Sequence, residues 1–172
     1  MCALITKWLK NNRGTTAVEF ALVGVPFVIM SIGTIEMALM FTSQSVLQEA
    51  TFAAARVIRT GQVQKAGGTE ELFREEVCDF AELLIPCNEI QFQVQNLPSF
   101  EDAQDDPGPT FDDDGNLEDQ GFDPGGESDV VMIRVVYNYP VRTPLLQASL
   151  SNTTGGRRTM LSTMVLKTEP YE

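Results

Sequence analysis

Apolar residues fall into three successive patterns along the chain. From Thr15 to Phe41 they form a nearly continuous run, charged only at Glu19 and Glu36. After it Val46, Leu47, Ala50, Ala53, Ala54, Val57 and Ile58 recur at three- and four-residue spacing, with Ser43, Gln44, Gln48, Glu49, Arg56 and Arg59 on the opposite face. That spacing marks one side of a helix. Farther along, apolar residues alternate with polar ones or gather in short β-branched stretches, which is strand patterning. The pattern predicts a long N-terminal helix from Thr15 to Thr60, ended by Gly61 with Arg56 and Arg59 in its last turn, as the helix dipole favours.

Length decides what the first part of that helix is for. At ~1.5 Å per residue, Thr15 to Phe41 makes about 40 Å of helix. The hydrocarbon core of a bilayer needs about 30 Å. Gly24, Pro26 and Gly33 are all tolerated in membrane helices. A buried core helix is the alternative, but the remaining chain is too small to wrap so apolar an element. Lys7, Lys10 and Arg13 precede the run without any acid, so the N-terminus is expected in the cytoplasm and everything after Phe41 outside it. A cleaved secretory signal has an apolar region of only ~7–15 residues with a cleavage site close behind. Here the run is longer and Ala53-Ala54-Ala55 lies well beyond it, so a retained anchor is expected.

The rest of the chain predicts a small α+β domain. Thr69 is placed to cap a second helix, with Glu70 and Glu71 in its first turn and Leu72, Phe73, Val77, Phe80, Ala81 and Leu84 on its apolar face; Pro86 ends it. Ile90 to Gln95 alternates as a half-buried strand, Val130 to Tyr139 reads as a second strand, and Thr159 to Thr168 as a third. Leu145 to Leu150 reads as a short helix. The fold class expected is α+β: a long transmembrane helix running into a second helix and a three-stranded, mainly antiparallel sheet whose strand order is not legible. The segments are a leader over 1–14, a transmembrane helix over 15–41, an amphipathic extension over 42–60 and an extracytoplasmic domain over 61–172.

Charge adds an acidic insert. The chain has 24 acidic and 12 basic residues, no His and a net charge of −12. Twelve acids and no base lie between Glu101 and Asp129, so the stretch 101–129 accounts for the whole imbalance. Such a chain lacks the basic face that nucleic-acid binding needs. Without His there is no Ser-His or Cys-His pair and no usual zinc site, and neither Gly-x-Ser-x-Gly nor a phosphate-cradling loop is present. Neither an enzyme nor a cofactor is expected. The insert reads as a solvated, flexible loop between two strands, with Phe111, Leu117 and Phe122 available to tuck it onto the domain. Clustered carboxylates also suggest calcium. An EF-hand is rejected, because aligning Gly115 with that loop's glycine puts Thr110 and Gly121 at required ligand positions. An irregular calcium site stays open.

Cys78 and Cys87 flank the end of the second helix, and in an oxidising compartment they should form a disulfide; two free thiols are the alternative. Cys2 lies in the leader and has no apolar region before it, so it is not a lipid-acceptor cysteine.

Glu19 is the anomaly of the apolar run. A carboxylate costs ~2.5–3.5 kcal/mol at mid-bilayer and less near the interface. One reading is that it snorkels to the headgroups. The other is that it awaits a cation. Gly14 offers unobstructed backbone to a protease, and cleavage after it would leave a free amine on Thr15, at the depth where a neighbouring subunit's Glu19 needs a partner. The tract Arg13-Gly14-Thr15-Thr16-Ala17-Val18-Glu19-Phe20-Ala21-Leu22, with Pro26 in the run behind it, resembles the TadE-like pseudopilins of the Tad (tight adherence) pilus. The ending Thr163 to Tyr171 is similar to that family's closing strand and Glu-Pro-aromatic end. The resemblance implies processing by a prepilin peptidase between Gly14 and Thr15, and assembly through Glu19 and Phe20. It also implies the lipid bilayer, other pilin-like subunits and inner-membrane pilus assembly proteins as partners, and a single-pass protein of the bacterial inner membrane with a periplasmic domain. The alternative function is a membrane-tethered binding module whose acidic loop engages calcium or a basic partner.

Overall fold

The computed structural model describes residues 15–67 and 69–170. The predicted long helix is a single element, α1 (Thr15–Arg59). Its buried face begins at Glu36 and continues through Met40, Ser43, Leu47, Ala50, Thr51, Ala54, Ala55, Val57 and Ile58. Past Phe41 this stripe follows the predicted apolar face at Leu47, Ala50, Ala54, Val57 and Ile58, adds Ser43, Thr51 and Ala55, and leaves Val46 and Ala53 half-buried. Ser43 stands one turn from both Met40 and Leu47, so its small side chain is carried into the packed side. Gly61 ends α1 with φ +72, a left-handed conformation that glycine adopts without steric cost, and its N–H bonds to the Ile58 carbonyl.

After the short α2 (Gln62–Lys65), α3 (Glu70–Ala81) packs on α1. Thr69 occupies its N-cap position with extended backbone, and Arg74 pairs with Glu70 one turn away. Only Phe73, Val77 and Ala81 of its predicted face are fully buried, whereas Phe80 and Leu84 are exposed. The i, i+4, i+8 line is the edge that meets α1 and the sheet, and Phe80 lies off it. The disulfide forms as anticipated, joining Cys78 to Cys87 across 5.4 Å between Cα atoms.

The sheet is an antiparallel meander of β1 (Ile90–Leu97), β2 (Val130–Pro140) and β3 (Arg157–Lys167), in that order. Ile133 at its centre pairs with Val94 on one side and Met164 on the other. Helix α4 (Phe100–Gln104) follows β1, and α5 (Pro144–Leu150) links β2 to β3 with Pro144 in its first turn. The inner face of the sheet, with Val131, Ile133, Val135 and Tyr137, closes the core against α1 and α3.

The insert 101–129 does not stand off as a solvated loop. It crosses the outer face of β2, where Val130, Met132, Arg134, Val136 and Asn138 are all buried. It then lies along the free edge of β1. The N–H of Val94 donates to the Gly121 carbonyl at 2.8 Å, and the N–H of Asp123 donates to the Val94 carbonyl at 2.9 Å. Covering an open strand edge in this way removes a template for unwanted pairing. Phe122 turns inward and joins Phe73 and Phe92, with ring centroids 5.6 and 6.2 Å away. Leu117 is also buried. Apolar anchors and backbone pairing thus outweigh the acidity of the segment.

Candidate functional site

Two regions carry the chemistry: the exposed half of α1 and its junction with the domain. No part of the most apolar 18-residue window of α1 is buried, and the helix is long and apolar enough to cross a membrane. Phe20 is 79 % exposed and Glu19 is exposed beside it. Ser31 and Thr34 donate their hydroxyls to the Phe27 and Met30 carbonyls, so their side chains need no hydrogen bond from the surroundings. Gly14 and the leader cations Lys7, Lys10 and Arg13 lie outside the described residues. Thr15 is the first residue of α1, one turn before Glu19.

Contacts with the domain begin earlier than the boundary at Phe41. A Cβ on Gly33 would stand 3.7 Å from Leu146 of α5, and Glu36 is fully buried. The apolar stretch ahead of the first buried residue, Glu36, is therefore Thr15 to Ile35, about 31 Å of helix at ~1.5 Å per residue. That length is close to the ~30 Å of a hydrocarbon core.

Glu36 makes the junction. Its carboxylate accepts from the Arg142 N–H at 3.0 Å, the Thr143 hydroxyl at 3.0 Å and the Tyr139 hydroxyl at 3.4 Å. One acid in the apolar run thus holds the end of β2 and the start of α5. Burial pushes the Tyr139 hydroxyl above its ordinary pKa, and the Glu36 charge and hydrogen bond push it further. Its proton stays on the phenol, as donation to a carboxylate requires. Sequence reasoning noted Glu36 only as a charge. Its signal was the one that singled out Glu19, an acid where the pattern calls for an apolar residue.

A second polar cluster lies under the insert. Arg134 is buried on the outer face of β2, pairs with Asp106 and donates to Gln93 Oε1 at 2.9 Å. Burial opposes ionisation of Asp106, but the Gly108 N–H and the Arg134 guanidinium outweigh it and hold the carboxyl below its ordinary range. Gln91 and Gln93, the polar half of the β1 alternation, bond to Asn116 and Asp119 of the insert. Asp112 is occupied within its own turn by Asp114, Gly115 and Asn116, and these hydrogen bonds, the Asn116 side chain first, lower its pKa. Among the described residues no group of three or more acidic or thiol side chains is arranged to hold a metal ion.

Comparison with known sequence families finds a match over part of the chain. Residues 14–56 match the family described as TadE-like protein. This is the segment of Gly14, Glu19 and the long helix. No curated protein and no solved structure matches the chain.

Proposed function

We propose that this chain, TadE-like over residues 14–56, is a membrane-anchored, pilin-like subunit (a minor pseudopilin) that serves assembly of a Tad-type adhesion pilus. The observation that carries the reading is a bare, apolar, membrane-length stretch of helix, inside the matched segment, with Glu19, the only acid from Thr15 to Ile35, five residues past Gly14. In this reading the leader cations hold the N-terminus in the cytoplasm of a bacterial inner membrane, and the α+β domain lies in the periplasm. A prepilin peptidase cuts between Gly14 and Thr15. The new Thr15 amine of one subunit then neutralises Glu19 of its neighbour, removing two charges at once from an apolar helical bundle. Phe20 and the adjoining apolar residues supply the helix-to-helix contact. The role is structural rather than catalytic, and the disulfide suits an oxidising compartment.

N-terminal sequencing of membrane-extracted protein, from cells with and without the peptidase, tests the processing step. The expected mature chain begins at Thr15 only when the peptidase is present. A chain beginning at Met1 in both would refute processing. Glu19→Ala should be cleaved normally yet fail to support piliation; normal piliation by that variant would remove the pairing step.

A further inference from the structure

The end of the domain nearest the apolar helix carries a surface that the pilin-like reading does not use. We propose that this end, formed by Arg142, Arg157, Arg158 and Leu145, docks on the anionic phospholipid headgroups of the outer leaflet of the membrane that α1 crosses. The proposal rests on the membrane-spanning reading of Thr15 to Ile35.

Three contacts fix the height of this surface along α1. Leu146 packs at Gly33, and the Arg142 N–H bonds to Glu36. Higher up, Gln44 donates to the Leu161 carbonyl at 3.2 Å. Arg157 lies four residues before Leu161 on β3, about 13 Å lower at ~3.3 Å per residue. β3 and α1 advance side by side, the Glu169 N–H bonding to the Arg59 carbonyl farther up, so that drop equals about nine residues of helix at ~1.5 Å each and brings Arg157 level with Ile35. All three arginines therefore sit where the bare apolar stretch ends. Leu145 is level with Gly33 and is 71 % exposed, while its neighbour Leu146 takes the packed position on the helix.

The electrostatics favour an anionic surface. The three arginines are exposed, and among the described residues no carboxylate lies within 4.0 Å of them. Arg158 donates one N–H to the Leu150 carbonyl and keeps its other donors. Glu36 is buried and turned inward to Arg142 N–H, Thr143 and Tyr139, and Glu89 lies beside Tyr137. Asp113 and Asp114 meet Thr154, in the turn before Arg157, and so border this end on the insert side of the sheet, with neither carboxylate within 4.0 Å of an arginine. An apolar side chain at acyl depth beside cations at headgroup depth is the arrangement by which interfacial segments bind lipid. Each arginine near such a surface shifts docking by about fivefold.

The test places tryptophan at two heights of the full-length protein. Leu145→Trp and Val28→Trp are each made in a Trp8→Phe background and reconstituted into phosphatidylcholine vesicles with or without phosphatidylglycerol. Quenching is read with lipids labelled near the headgroup or at mid-chain, and with aqueous acrylamide. The expected result is quenching of Val28→Trp by the mid-chain label in both compositions. Leu145→Trp should be quenched by the shallow label and shielded from acrylamide, chiefly with phosphatidylglycerol present. Each Arg→Gln change at 142, 157 or 158 should lower that docking about fivefold. If Val28→Trp meets the lipid label but Leu145→Trp stays open to acrylamide in both compositions, docking is refuted and the membrane span stands. If Leu145→Trp is shielded from acrylamide and from both labels, a protein partner covers it and docking is again refuted. Failure of Val28→Trp to meet any lipid label would overturn the span and, with it, the docking.

Discussion

Replacing Glu36 with Leu removes the acceptor for three donors at the junction of α1 and the domain. The Tyr139 hydroxyl is buried, while the Arg142 N–H and Thr143 hydroxyl are partly so. An orphaned buried donor costs about 1–3 kcal/mol, with partly wet donors at the low end, which sums to about 3–5 kcal/mol here. Relief of the desolvated carboxylate offsets part of this, leaving about 3 kcal/mol. That is about a 150-fold rise in the equilibrium for local opening. The effect should be confined to what Glu36 holds: the end of β2, Arg142, Thr143 and α5. Hydrogen exchange on the full-length protein in lipid nanodiscs reads it directly. Amides over Val141 to Leu150 should lose about two orders of magnitude of protection, while those at Ile133 to Val135 change far less. Glu36→Gln, which keeps an acceptor oxygen, should fall between wild type and Glu36→Leu. Unchanged exchange over Val141 to Leu150 in a folded Glu36→Leu protein would refute the role assigned to this carboxylate.

Three further outcomes follow from the same contacts. Replacing Cys78 and Cys87 with Ser should lower stability by about 2.5–3 kcal/mol for a closed loop of about ten residues, read as a lower urea midpoint in detergent. An unchanged midpoint would show that the bridge adds nothing. At Gly115, φ is +81 and a Cβ would stand 2.5 Å from Thr159 Oγ1 and 2.6 Å from Thr153 Cγ2. Gly115→Ala should therefore cost about 2–4 kcal/mol from backbone strain and overpacking together, whereas Gly121→Ala, with open space around it, should cost much less. Asp106 has a lowered carboxyl pKa, so its stabilisation is present above the unfolded-state value and fades as pH falls through the lower folded value. The urea midpoint of wild type should drop more steeply below about pH 4 than that of Asp106→Asn, and parallel acid limbs would contradict the pairing with Arg134.

The long helix, its end at Gly61, the positions of the three strands and the cysteine pair were all legible in the chain, because each rests on local periodicity or on a residue's own backbone preference. The anomaly at Glu19 was legible for the same reason, as a charge where its neighbours are apolar. Glu36 carried the same mark, but its partners lie more than a hundred residues away, and no spacing rule points from it to Tyr139 or Thr143. The alternation of β1 made Gln91 and Gln93 look solvent-facing. They are covered because residues 115–123 fold back over that face and edge, held by Leu117, Phe122 and the backbone of Val94. Arg134 likewise sits in a strand whose neighbours are nearly all apolar, and only the return of Asp106 across the sheet explains it. The order of the strands and the point where α1 stops being free belong to the same class. Each depends on which distant surfaces meet, and that is set by the total apolar area and hydrogen bonding the chain gains on closing, a sum over the whole molecule that no local pattern contains.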